Sequence, residues 1–158
     1  QGDLQIRGHW VVDTYFGADG SALTDDGWFD TGDVATINPQ GYMKITDRTK
    51  DVIKTGGEWV SSIEIENAAV SHPDIAESAA IGRYHPRWTE RPLLVAVRQP
   101  GATVTTEQML EFLGNKLHKI SKPDDVVFVE ELPHTATGKI NKLALRKTLE
   151  DYQFPTKS

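Results

Sequence analysis

Cysteine is absent from this 158-residue chain. Disulfides, thiolate zinc sites and thiol nucleophiles are therefore excluded, and a reducing compartment is compatible, so a cytoplasmic location is expected. Long apolar runs are absent as well. Stretches such as Leu93 to Val97 are a few residues long, far short of the roughly 20 that cross a bilayer, and no signal-peptide pattern appears. Basic charge is scarce: 17 Lys and Arg stand against 23 Asp and Glu, a net charge of −6. No broad basic face is implied, so nucleic acid is not an expected partner. The five histidines, His9, His72, His85, His118 and His134, show no metal-ligand spacing, and no metal site is expected among them. No Ser/His/Asp assembly can be argued. The first residue is Gln1 rather than Met, and the expectation is a processed product or a fragment of a longer chain.

What is present is unevenly spread. Residues 1–47 carry eight Asp against Arg7 and Lys44, whereas residues 48–158 carry fifteen acidic and fifteen basic side chains. A charge step of this kind marks a domain boundary at residue 47. Before it, Leu4 to Val12 alternates as a strand does, residues 13–33 read as loop, and Val34–Ile37 and Tyr42–Thr46 flank the turn Asn38-Pro39-Gln40-Gly41 as a hairpin. After it, Ser61 and Glu64 form a capping box that opens a helix over 63–71. Strands are expected at 75–82, 93–98 and 126–129, with a loop at 85–91 between the first two. A second capped helix spans 105–118, and a third starts at an Asn141 cap and runs to Tyr152. The pattern predicts an α+β domain of about 105 residues, within the usual domain size, with a short central sheet flanked by about three helices and preceded by β-strands.

Three places hold residues that can do chemistry. The first is Trp28-Phe29-Asp30-Thr31-Gly32-Asp33. A carboxylate after Thr-Gly is common in turns, where it accepts nearby backbone N–H groups, and it can also hold the paired hydroxyls of a ribose. The second is Thr46 to Glu66, TDRTKDVIKTGGEWVSSIEIE, which reads as a charged link, a hairpin turning on Gly56-Gly57 and a helix start. Its cations Arg48, Lys50 and Lys54 are equally consistent with a solvated edge. The third is Pro133-His134-Thr135-Ala136-Thr137-Gly138-Lys139-Ile140, a polar loop that presents an ammonium group suited to phosphate or carboxylate oxygens. It is not a Walker A loop, since Pro133 stands at the first glycine and Ile140 where Ser or Thr would hold magnesium.

Taken in order, the three places resemble the ANL superfamily of acyl-CoA synthetases, peptide-synthetase adenylation domains and luciferases. WFDTGD resembles the (Y/F)RTGD motif, TDRTKDVIKTGGEWVSSIEIE the hinge motif, and LPHTATGKINKLALRK the C-terminal PxTxxGKIxRxxLR motif. GGEWVSSIEIE is more similar to medium- and long-chain fatty acyl-CoA synthetases than to peptide-synthetase modules. Two departures stand out: Asp30 where the family often has Arg, and His134 where a lysine is common.

The resemblance implies an AMP-forming ligase. ATP and a carboxylic acid give an acyl-adenylate and pyrophosphate, and after a domain swing CoA thiolate gives acyl-CoA and AMP. It implies that Asp33 binds ribose, Arg48 contacts the nucleotide, Lys50 is the hinge and Lys139 is the catalytic lysine of adenylation. Lys54, Gly56, Gly57 and Trp59 fall at the pantetheine or thioester face. ATP and CoA are the implied substrates, with Mg²⁺ accompanying ATP and held mainly by an N-terminal domain. Residues 1–47 would then end that large domain and residues 48–158 would form its C-terminal lid, inactive alone. A reading of another class is a free-standing CoA- or partner-binding module without catalysis.

Overall fold

The computed structural model describes residues 1–155. The chain forms two compact units, Gln1–Lys50 and the remainder from Asp51. The division falls three residues beyond the charge step.

The first unit is a three-stranded antiparallel sheet of β1 (Gly2–Ile6), β2 (Phe29–Ile37) and β3 (Met43–Arg48), in the order β1-β2-β3. The β2–β3 turn is held by one side chain: Asn38 Oδ1 accepts the N–H groups of Gln40 at 3.1 Å and Tyr42 at 2.8 Å. Gly41 takes φ 85° there, a conformation that costs glycine nothing sterically. Two expectations are corrected. The first strand ends at Ile6, short of the anticipated Val12, and Trp10 is fully exposed. β2 begins at Phe29, so Asp30 to Asp33 lie in a strand rather than a loop. Thr31 explains the second point. Its hydroxyl donates to the Leu4 carbonyl at 2.9 Å, and Gln5 pairs with Asp30, so β1 supplies a partner 25 residues upstream that local composition does not reveal.

The second unit holds the hairpin β4 (Ile53–Thr55) and β5 (Glu58–Val60), then α1 (Ser62–Val70), β6 (Ile75–His85) and β7 (Thr89–Arg98). It closes with α2 (Thr106–Gly114), β8 (Asp125–Val129) and α3 (Lys142–Thr148). β7 is the central strand. It pairs antiparallel with β6 over its length, parallel with β8 from Leu93 to Val97, and with β4 only at Thr89. Its apolar run is buried on both faces, because alternate side chains leave a strand on opposite sides. Leu94 and Ala96 join Ile65, Ala69, Met109 and Leu113 from α1 and α2. Leu93 and Val95 join Leu132 and Leu145, with Tyr152 and Phe154 packed alongside. The expected α+β architecture is observed, with three helices among the described residues.

The helix starts follow their caps. Ser61 Oγ accepts the Glu64 N–H at 3.2 Å, Thr105 and Gln108 form a full capping box, and Asn141 Oδ1 accepts the Ala144 N–H at 3.0 Å. The ends are shorter than expected. α2 stops at Gly114 instead of His118, since glycine in a helix costs about 1 kcal/mol relative to alanine. α3 stops at Thr148 rather than Tyr152. The expected loop at 85–91 is instead a tight turn of a long β6–β7 hairpin, whose ends pair at His85 and Thr89.

Candidate functional site

In the first unit, strand register places Asp33 opposite Arg48. The guanidinium Nε lies 3.2 Å from Asp33 Oδ1, with the arginine side chain 53% exposed and the carboxylate 20%. The turn before the carboxylate is built locally. Asp30 Oδ1 accepts the Gly32 N–H at 2.9 Å, and the Thr31 hydroxyl accepts the Asp33 N–H at 3.2 Å. Gly32 adopts φ 69°, and the Thr49 N–H donates to its carbonyl at 2.9 Å. Asp30 thus has a local backbone partner. The pair offers a carboxylate for hydroxyl donors beside a half-exposed cation for phosphate oxygens. Asp47, at 1% exposure, accepts the Arg48 N–H at 2.7 Å and so fixes the backbone of that arginine.

In the second unit, Gly56 and Gly57 both take positive φ, 56° and 90°, as a primed hairpin turn requires. Lys54 pairs with Trp59 across the hairpin, its ammonium 5.8 Å from the ring centroid. The Lys139 loop is a small hairpin of its own. His134 bridges Ile140, the Thr135 N–H donates to the Lys139 carbonyl at 2.7 Å, and the Lys139 N–H donates to the Thr135 hydroxyl at 3.2 Å. The Asn141 N–H closes the loop on the Pro133 carbonyl at 2.7 Å. Lys139 itself is exposed. Among the described residues, no hydrogen bond or ion pair joins its side chain to the glycine turn. His134 Nε2 stands 3.5 Å from Glu77 Oε1.

Several anchoring residues have no signal in the motifs. Lys142 Nζ sits 2.6 Å from Glu66 Oε1 and 2.7 Å from the buried Ser62 hydroxyl. Arg146, one turn further along α3, pairs with Asp51 at 2.8 Å. Together they fasten the helix that follows Lys139 to the residues that follow Lys50. Arg91 is buried in a bidentate pair with Asp124, 3.0 Å at each contact, and also donates to the Ile120 and Lys122 carbonyls. A groove of about 1130 Å³ opens beside that pair, with Trp88, Lys119, Tyr152 and Phe154 among its lining residues. Burial, and then the Asp125 carboxylate to which its hydroxyl donates, push the Tyr152 phenol above its usual range. Contacts of these kinds span 80 and 95 residues of sequence, and pattern reading is blind to such distances.

No three His, Cys, Asp or Glu side chains converge as metal ligands among the described residues. No helix among the described residues is long and apolar enough to cross a membrane.

Comparison with known proteins agrees with the motifs. Residues 64–139 match the AMP-binding enzyme C-terminal domain. Over 151 residues the chain is 56% identical to the 3-methylmercaptopropionyl-CoA ligase of Ruegeria lacuscaerulensis and 47% identical to the medium-chain-fatty-acid–CoA ligase of Ectopseudomonas oleovorans. Each alignment covers 96% of this chain and 28% of the relative, so the chain spans little more than a quarter of the length of these ligases. Among solved structures, ATP-bound MatB from Rhodopseudomonas palustris superposes with TM-score 0.74 at 40% identity, over 82% of this chain and 26% of that one. The o-succinylbenzoate CoA synthetase of Bacillus subtilis, in complex with its acyl-adenylate intermediate, superposes with TM-score 0.81 at 26% identity, over 99% of this chain and 31% of that one. Residues 64–139 match the AMP-binding enzyme C-terminal domain, and over most of its length the chain is similar to a part of acyl-CoA ligases.

Proposed function

We propose that the protein is an AMP-forming acyl-CoA ligase, and that residues 1–158 supply its lid and the link to it. The carrying observation is where the chain divides. The Asp33–Arg48 pair lies in one unit, Lys139 and the glycine turn lie in the other, and the division follows Lys50. In this reading Asp33 accepts the ribose hydroxyls and Arg48 faces the nucleotide phosphates. Lys139 then bridges carboxylate and α-phosphate oxygens while the acyl-adenylate forms and pyrophosphate leaves. Both reactants are anions, so a placed ammonium group stabilises the charge that builds as they meet, by about 3–4 kcal/mol for a well-aimed contact. A few link residues at Lys50 absorb the backbone change of a domain swing. The swing withdraws Lys139 and brings up Lys54, Gly56, Gly57 and Trp59, where the absence of a Cβ lets the backbone approach a pantetheine arm closely. The Mg²⁺ that accompanies ATP is held outside these residues, and a cytoplasmic location belongs to the same proposal.

The test uses the full-length protein with 3-methylmercaptopropionate and medium-chain fatty acids as acids, the two classes that the relatives' names point to. Lys139→Ala should lower acid-dependent pyrophosphate exchange by about 10²–10³-fold. It should leave thioester formation from preformed acyl-adenylate and CoA within a few-fold. Equal loss in both steps would sink the division of labour. The absence of exchange in the unaltered protein with every acid would sink the ligase reading.

A further inference from the structure

We propose that the turn between β6 and β7, residues Trp88 to Glu90, is the positioning element of the Gly56-Gly57 turn and acts through it on the CoA-dependent step. This deepens the ligase reading and rests on it. Three consecutive residues of one turn hold three consecutive residues of the other. The Trp88 carbonyl accepts the Gly56 N–H at 2.8 Å. Thr89 pairs with Thr55. Glu90 binds twice: its carboxylate accepts the Lys54 N–H at 2.9 Å, and its carbonyl accepts the Thr55 hydroxyl at 3.0 Å.

The fit is tight on both sides. A Cβ on Gly56 would stand 2.6 Å from Trp88 Cε3 and 3.0 Å from Cζ3, so the indole occupies the space that any larger residue would need. A Cβ on Gly82 would stand 2.7 Å from Glu90 Oε2, so that glycine leaves room for the carboxylate that holds Lys54. Strain marks the same turn. Thr89 has φ 69°, the only positive φ at a non-glycine among the described residues. A β-branched residue disfavours that region strongly, and such outliers persist where the surroundings over-determine them, commonly at functional sites. Here the surroundings are the β4 pairing at Thr55 and the indole against Gly56. Gly56 and Gly57, exposed at the tip, are therefore set by a neighbour rather than by their own hairpin, which is three residues long on each side. Trp88 is a positioning residue. It acts by fixing the height and direction of the glycine backbone.

The experiment uses the full-length protein with Trp88→Ala, Trp88→Phe and Thr89→Gly. Acid-dependent pyrophosphate exchange is measured beside thioester formation from preformed acyl-adenylate and CoA. Trp88→Ala should lower kcat/KM for CoA by about tenfold or more while exchange stays within about twofold. Trp88→Phe should restore most of the loss, because a flat ring again fills the space over Gly56. Parallel loss of both steps, or no loss in either, overturns the proposal. Should Trp88→Ala fail to fold, Thr89→Gly carries the test, since it releases the turn without emptying the contact; an unchanged CoA step in that variant overturns the proposal too. Amide exchange separates this idea from the ligase reading. If the unaltered protein shows no pyrophosphate exchange, the reading falls on its own. The Gly56 amide should still exchange at least about tenfold faster in Trp88→Ala, and an unchanged rate overturns the contact itself.

Discussion

The Lys139 loop and the Gly56-Gly57 turn are both short hairpins with a positive-φ glycine, yet they are held in opposite ways. The Lys139 loop is self-contained: Thr135 bonds both the backbone N–H and the carbonyl of Lys139, and Asn141 closes on Pro133. The glycine turn depends on the β6–β7 turn, more than thirty residues away. The contrast suits the two tasks proposed for them. An exposed lysine can sweep a small volume and still meet an anion, because Coulomb attraction falls slowly with distance. On the proposed reading the glycine backbone lines a narrow pantetheine path, and such a backbone cannot shift by an ångström without closing it. The loop therefore carries its own geometry, and the turn is braced from outside.

The largest test of this contrast is Gly56→Ala. Its Cβ meets the Trp88 ring and its φ of 56° disfavours a side chain, so denaturant unfolding should show a loss of about 3 kcal/mol. Adding Trp88→Ala should recover the steric share and leave the conformational one. If the double variant is no more stable than the single, the indole does not brace the turn.

Next comes Lys142→Met. It removes the ammonium partner of the Glu66 carboxylate, which also accepts the Ala80 N–H, at a cost of about 2 kcal/mol for a partly buried pair. Because Lys142 anchors α3 directly after the loop, the adenylation step should weaken more than the CoA step; the reverse order would show that α3 serves the glycine turn instead.

Thr135→Val should cost about 1 kcal/mol for the hydroxyl's lost bonds and slow only pyrophosphate exchange. A slowed CoA step would show that the loop is not self-contained.

The smallest effect concerns Tyr152, whose phenol is raised above its ordinary value of about 10 by burial and by Asp125. A raised value means the folded form keeps a proton that the unfolded form releases. Stability is thus full below about pH 10 and declines as pH rises above it. Tyr152→Phe should remove that alkaline slope while leaving both half-reactions unchanged, measured by thermal unfolding between pH 8 and 11. A slope that persists in Tyr152→Phe assigns it to another group.

Much of the fold was legible because its signals are local. Ser61, Thr105 and Asn141 cap helices through bonds to residues three positions on. The Asn38–Gly41 turn is settled by one side chain and one glycine. The alternation of β7 follows from the period of two in a strand. Where reading failed, a distant partner decided. Leu4 to Val12 looked uniformly strand-like, but only the residues to Ile6 find a partner in β2. Asp30 to Asp33 looked like loop, but that same pairing draws them into a strand. The 85–91 stretch, with its Pro86 and Trp88, read as loop because nothing nearby announces that Thr89 will bend back with a positive φ.

The proposed site divides along the same line. Asp33, Arg48, Lys50, Lys139 and the two glycines are proposed from motif order and from residue chemistry, since a lysine after Thr-x-Thr-Gly and a carboxylate after Thr-Gly carry their capabilities with them. Their supports are not. Strand register alone sets Arg48 against Asp33, and α3 packing alone joins Lys142 to Glu66 and Arg146 to Asp51. Trp88, Thr89 and Glu90 acquire meaning only when β7 delivers them to β4. Side-chain chemistry and the nearest few bonds belong to the order of residues. Which groups are held still, and by what, depends on contacts across dozens of residues, and these exist only once the core has closed around β7.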